Sequence, residues 1–158
     1  MKKIVITITG IWIICILCAS PALGEDRFTD NGDGTVTDNV LGLMWAKNDN
    51  QGDITWTQAD QWVKFTFSIA SPYKNWRLPT LEELQSLYVR DKAYEGYETD
   101  CGQTVKIIPK IQLSCGWLWT SETRSITAKL FNFNRGYHYT DRIAKNRAYR
   151  VLPVRTLK

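Results

Sequence analysis

One segment, Trp76-Arg77-Leu78-Pro79-Thr80-Leu81-Glu82-Glu83, constrains this chain more than any other. Thr80 and Glu83 make a capping box: a hydroxyl at the helix start and a carboxylate three residues on satisfy free backbone N–H groups. Pro79 pushes Leu78 out of the α region, so no helix can begin earlier. Leu81, Leu84, Leu87 and Tyr88 then form one apolar stripe. A second capping box, Thr55 with Gln58, precedes Trp56, Ala59, Trp62 and Val63 at helical spacing. It predicts an amphipathic helix of two or three turns. Glu82 and Glu83 could be read as a glycosidase pair. Their place in a capped first turn explains them without catalysis, since both favour the helix dipole.

The rest of the chain is written as short strands. Phe28 to Asp38 holds Asn31-Gly32-Asp33-Gly34, residues that tolerate positive φ, and predicts a tight hairpin. A calcium loop is the sharper alternative. Counted from Asp30, however, its third and fifth positions are Gly32 and Gly34, which carry no ligand oxygen. Leu41–Ala46, Trp117–Ser121, Thr127–Asn134 and Tyr149–Val154 read as further strands, with Asn134-Arg135-Gly136 a turn and Pro153 an edge or bulge. Ala128, Leu130 and Asn132 are expected on one face, Lys129, Phe131 and Phe133 on the other. Arg90 to Ser114 is a long irregular loop. The fold class expected is α+β, with two helices packed on an antiparallel sheet that joins the N- and C-terminal segments.

Residues 1–24 read as a signal peptide. Lys2 and Lys3 precede an apolar run from Ile4 to Ala19, Pro21 breaks it, and Ala22-Leu23-Gly24 offers small residues for cleavage. Cys15 and Cys18 lack the small preceding residue of a lipoprotein signal. Residues 25–158 then form a single exported domain, periplasmic or secreted, with no further apolar run long enough to span a bilayer. Cys101 and Cys115 remain, and an oxidising compartment predicts a disulfide between them. It would close a loop of about 15 residues and contribute about 3 kcal/mol. Two free buried thiols or a metal pair are the alternatives, and no His lies nearby to complete a metal set.

Charge is unevenly divided. Residues 25–123 carry nine basic and fifteen acidic side chains; residues 124–158 carry nine basic and one acidic, Asp141. Such a separation steers anionic partners. The basic part interleaves Arg135, Arg142, Lys145 and Arg147 with Tyr137, His138 and Tyr139. Guanidinium groups grip sulfate, carboxylate or phosphate through paired hydrogen bonds, and tyrosine rings offer flat faces to sugars. These seven residues are the candidate site. The bland alternative is a solvated face paired with the acidic part of the domain. His138 is the one histidine, and no nucleophile elbow, Walker loop, dinucleotide fingerprint or zinc spacing is present. No catalytic residue, metal or cofactor is expected.

Several motifs occur in order: Phe28 to Asp38, Gly42-Leu43-Met44-Trp45, Trp76-Arg77-Leu78-Pro79-Thr80 with Glu83-Leu84, Trp119-Thr120-Ser121, and Val151-Leu152-Pro153-Val154-Arg155. Together they resemble the Lcl C-terminal domain family, named for a collagen-like adhesin. The segment around Trp76 also resembles the C-type-lectin-like superfold of formylglycine-generating enzymes. The resemblance implies secretion, a C-type-lectin-like domain, and, from the adhesin, binding of sulfated glycosaminoglycans in attachment. Trp45, Trp76, Arg77, Leu78, Pro79, Thr80 and Trp119 are its structural residues, with Arg77 expected to satisfy buried carbonyls. The copper-binding cysteines of the enzymes have no counterpart here. The expected function is therefore a non-catalytic binding domain for an anionic polysaccharide or other surface polymer. An envelope protein-interaction or structural module is the alternative. Export argues against nucleic acid as the partner.

Overall fold

A computed structural model describes residues 27–157. The expected signal peptide, residues 1–24, lies outside them. The chain runs through β1 (Phe28–Asp30), β2 (Thr35–Asp38) and β3 (Leu43–Ala46) into a long helical stretch. That stretch comprises α1 (Trp56–Gln61), a π-helical segment (Trp62–Phe67) and α2 (Ser68–Ala70). It continues through α3 (Leu81–Ser86), β4 (Tyr97–Glu98), β5 (Thr104–Val105) and β6 (Trp117–Arg124). The end consists of β7 (Thr127–Asn132), β8 (Tyr137–Arg142), β9 (Tyr149–Arg150) and β10 (Val154–Thr156). The class is α+β and rich in sheet.

One sheet has the order β1-β2-β3-β10, all antiparallel, so the first and last strands of the domain share it. A second has the order β8-β7-β6-β9, and there β9 runs parallel to β6. The segment Tyr149–Val154 is thus not one strand. β9 belongs to the second sheet, the chain crosses over at Leu152 and Pro153, and β10 enters the first sheet. Pro153 donates nothing to the ladder, but its carbonyl accepts from Ala46 N–H at 2.9 Å.

Both capping boxes form. Thr55 accepts from Gln58 N–H, and Thr80 from Glu83 N–H. The first helical stretch is longer than the apolar spacing predicts, because the π-helical turn carries it on to Ala70. At the second box, Glu83 does more than cap. It accepts from Thr80 N–H at 2.8 Å and receives both terminal nitrogens of Arg77, at 2.8 and 2.7 Å. The Arg77 guanidinium therefore pairs mainly with a carboxylate and adds the backbone carbonyl of Leu78 at 3.2 Å. Glu122 of β6 accepts from Leu81 N–H at 3.0 Å, which ties the start of α3 to the second sheet.

The second sheet lies between two apolar clusters. Leu118 and Phe131 pack on one side with Leu84, Leu87 and Ile107. Trp119, Ala128 and Leu130 pack on the other with Ala59, Val63, Trp76 and Tyr149. The alternation expected for β7 holds, yet both of its faces are covered. Trp45 is fully buried in the first cluster and Leu78 in the second. Trp76 donates its indole N–H to Ser71 and Tyr73, and Trp119 donates to the carbonyl of Ile54. In the hairpin between β1 and β2, Gly32 and Gly34 take positive φ. The carboxylates a calcium loop would use are engaged within the protein: Asp30 with Lys47, Asp33 with Thr35 and Tyr73, Asp38 with Arg27. The long loop folds into the β4–β5 hairpin, stapled by the Cys101–Cys115 disulfide.

Two outcomes follow. Burial would raise the Glu83 carboxyl, but the Arg77 pair and the Thr80 N–H outweigh it and hold it below the usual glutamate range. Its contribution is therefore complete above the ordinary glutamate value and is lost as pH falls through the depressed folded-state value. Glu83→Gln should cost about 1–2 kcal/mol near neutral pH, and thermal melts should show the parent and variant converging in acid. An undiminished gap in acid would refute the assignment. Replacing Cys101 and Cys115 together by Ser should cost about 3 kcal/mol in denaturant unfolding.

Candidate ligand-binding site

Strand β8 sets the geometry. Its side chains alternate between the faces of the sheet. Tyr137, Tyr139 and Asp141 stand opposite Asn132, Leu130 and Ala128 of β7; His138, Thr140 and Arg142 stand opposite Phe131, Lys129 and Thr127. The seven residues singled out in the sequence thus divide. Tyr137, Tyr139 and Arg147 line one cleft of about 380 Å³, together with Gln103, Trp117, Ala148 and Tyr149. His138 and Arg142 lie on the other face of β8. Arg135 sits in the turn between β7 and β8, and Lys145 in the connection from β8 to β9.

The cleft is walled by rings. Trp117 is half-buried and meets Tyr137 and Tyr139 edge-on, each at 5.3 Å between centroids. A hydrogen-bond chain underlies them: Tyr139 and Tyr149 hydroxyls are 3.1 Å apart, and Tyr149 donates to Asp141 at 2.8 Å. Burial is the main reason both phenols are raised; the bond between them raises Tyr149 further and lowers Tyr139 in part, and the Asp141 carboxylate adds to both shifts. Partial burial would raise the Asp141 carboxyl in turn. The tyrosine hydroxyls outweigh that and hold it below the usual range, with Lys145 adding to the effect.

Among the described residues, the side chains of Arg135, Arg142, Lys145 and Arg147 make no hydrogen bond or ion pair with protein. Arg147, with no protein partner for its guanidinium, lines the same cleft as Trp117, Tyr137, Tyr139 and Tyr149. Ala148, next to it, holds a left-handed backbone with φ 52°. For a residue with a Cβ this costs on the order of 1 kcal/mol, a strain that often accompanies function. Gln103 completes the wall. Its Oε1 is buried without a partner, and it packs against Gly116, where a Cβ would lie 2.5 Å from that oxygen.

Trp117, Gln103, Ala148 and Tyr149 were not legible as site residues. Trp117 reads as core because it opens a strand of buried residues. The signal for it is register, since it pairs with Asn132 and so shares a face with Tyr137 and Tyr139. Gln103 carries no sequence signal; the disulfide two residues away delivers it.

A family model, the Lcl C-terminal domain, matches residues 34–155. The chain belongs to the Lcl C-terminal domain family. The match runs from Gly34, in the turn of the first hairpin, into β10, and points to an adhesin-like C-terminal domain. No curated protein matches the chain. The disulfide is consistent with an exported member of the family. So is the finding that no described helix is long and apolar enough to cross a membrane.

Tyr149→Phe should remove the donor to Asp141 and move its carboxyl up toward the ordinary aspartate value, read by NMR titration of the side-chain carboxyl. Stability should fall by about 1 kcal/mol. An unmoved Asp141 titration would contradict the chain of hydrogen bonds described here.

Proposed function

We propose that this Lcl C-terminal domain is a non-catalytic exported binding module that holds an acidic or sulfated glycan in the Trp117–Tyr137–Tyr139–Arg147 cleft. The observation that carries this reading is that Arg147, whose guanidinium has no protein partner among the described residues, lines one concavity with the Trp117, Tyr137 and Tyr139 rings. Arginine takes a sulfate or carboxylate through two parallel hydrogen bonds. Tyrosine and tryptophan faces take the apolar side of a sugar ring, and the hydroxyls of Tyr139 and Tyr149 add polar contacts. Arg135 and Lys145 flank the cleft in the chain and add a longer-range field. The C-type-lectin-like relation is part of the same reading. It is supported by the sheet that joins β1 to β10 and by the stapled loops beside the cleft.

Heparin chromatography tests this. Arg147→Ser and Tyr139→Ala should each elute at clearly lower salt than the parent. The pair His138→Ala with Arg142→Ser, on the other face of β8, should elute close to it. Retention should weaken as salt rises. Parent-like elution of Arg147→Ser sinks the reading.

A second reading has its own observation. β8 is an edge strand with exposed tyrosines, and such an edge can accept a strand from an envelope protein. A glycan array without hits, beside a specific partner lost on inserting proline in β8, would favour it.

A further inference from the structure

A different groove lies along the first helical stretch. It has a volume of about 590 Å³, and its walls are α1, the π-helical segment and the loop before them. Asp53, Gln58, Gln61, Trp62, Phe65 and Thr66 line it. Backbone bonds set it in fixed relation to the aromatic cleft: Ile54 N–H donates to the carbonyl of Tyr149 at 3.2 Å, and Trp119 donates to the carbonyl of Ile54.

Three observations give the groove a chemistry. First, Phe65 is 65% exposed, although Val63 in the same segment is fully buried. The π-helical turn turns Phe67 inward, where it meets Trp62 at 5.4 Å and Trp76 at 5.0 Å. Phe65 is left outside with Trp62 beside it. π-Helical turns are uncommon and concentrate at functional sites. Second, the polar lining consists of amides, a hydroxyl and one carboxylate. Gln61 makes no side-chain hydrogen bond among the described residues. Asp53 gives one oxygen to Arg150 and remains 53% exposed. Third, no cation lines the groove. Lys64, its neighbour in sequence, is paired with Asp60 at 2.7 Å.

We infer that this groove is a second saccharide site, one that takes a neutral sugar chain. Trp62 and Phe65 provide the apolar faces against which pyranose C–H groups pack. The Gln61 amide and the free oxygen of Asp53 pair with ring hydroxyls. The Asp53 charge is balanced by Arg150, and no cation in the lining is free to grip an anionic group, so the groove lacks the feature proposed to hold the ligand of the Arg147 cleft. An extended peptide strand finds no sheet edge in these walls for backbone pairing. The inference stands on its own residues and does not require the anionic-glycan reading.

The test is an NMR titration of the exported, oxidised protein with four neutral hexasaccharides: cellohexaose, maltohexaose, laminarihexaose and chitohexaose. At least one should shift the Trp62 indole N–H and the Gln61 side-chain amide saturably at millimolar concentration, with little dependence on salt. Phe65→Ala and Gln61→Ala should each weaken that affinity severalfold, tenfold or more for Phe65→Ala, while Arg147→Ser leaves it unchanged. Phe65 is exposed, so its replacement should leave the rest of the spectrum in place. Absence of saturable shifts at Trp62 and Gln61 with all four sugars overturns the inference. So does full affinity in Phe65→Ala, or a response confined to Trp117 and Tyr139. Failure of the heparin experiment would remove the anionic site alone.

Discussion

β6 and β7 are covered on both faces, and most of the structure follows from that. A strand buried on one side can alternate apolar and polar residues. Here Leu118 and Phe131 must face the cluster built by α3, while Trp119, Leu130 and Ala128 face the cluster built by α1. Two helices are needed to cover the two faces, and the chain supplies one on each side with its own capping box. The sheet cannot extend indefinitely in this environment. On one edge it ends at β9, which is short. On the other it ends at β8, which carries tyrosines and charge and remains open to water.

That arrangement explains where the concavities lie. The covered middle of the sheet has no room for a ligand. Its margins do, and each margin receives residues from distant parts of the chain. The disulfide brings Gln103 against Gly116, next to Trp117. The connection after β8 brings Arg147 and Ala148 beside Tyr149. Across β9, Asp53 meets Arg150, and the π-helical segment sets Trp62 and Phe65 outward. Two concavities with different linings thus lie near β9, one walled by rings and Arg147 and one by α1 and the π-helical segment.

Polar contacts fix the joints between these parts. The Arg77–Glu83 pair locks the approach to α3, and Glu122 fastens that helix to β6. Asp49 holds Ser114 N–H and its hydroxyl, and Arg150 donates to the same hydroxyl, beside the disulfide. Burial pushes the Asp49 carboxyl up against these hydrogen bonds. Such buried polar links add geometry to a core whose apolar contacts are not directional.

Local chemistry by itself determined a good deal. Capping hydroxyls, a proline before a helix, glycines at positive φ and a pair of cysteines act within a few residues of themselves or through a simple count. The two helices, the first hairpin, the disulfide and the ordered family motifs were therefore legible. Tertiary structure alone decided the rest. Alternation along β8 separates His138 and Arg142 from Tyr137 and Tyr139, although all four stand together in sequence. The basic segment is continuous along the chain and divided in space. The break at Pro153, the parallel pairing of β9 and the π-helical turn depend on which surfaces must be covered, and no local propensity reports that. Clustering of side chains is a property of register and packing, so the residues that complete each concavity come from segments whose own composition gives no hint of it.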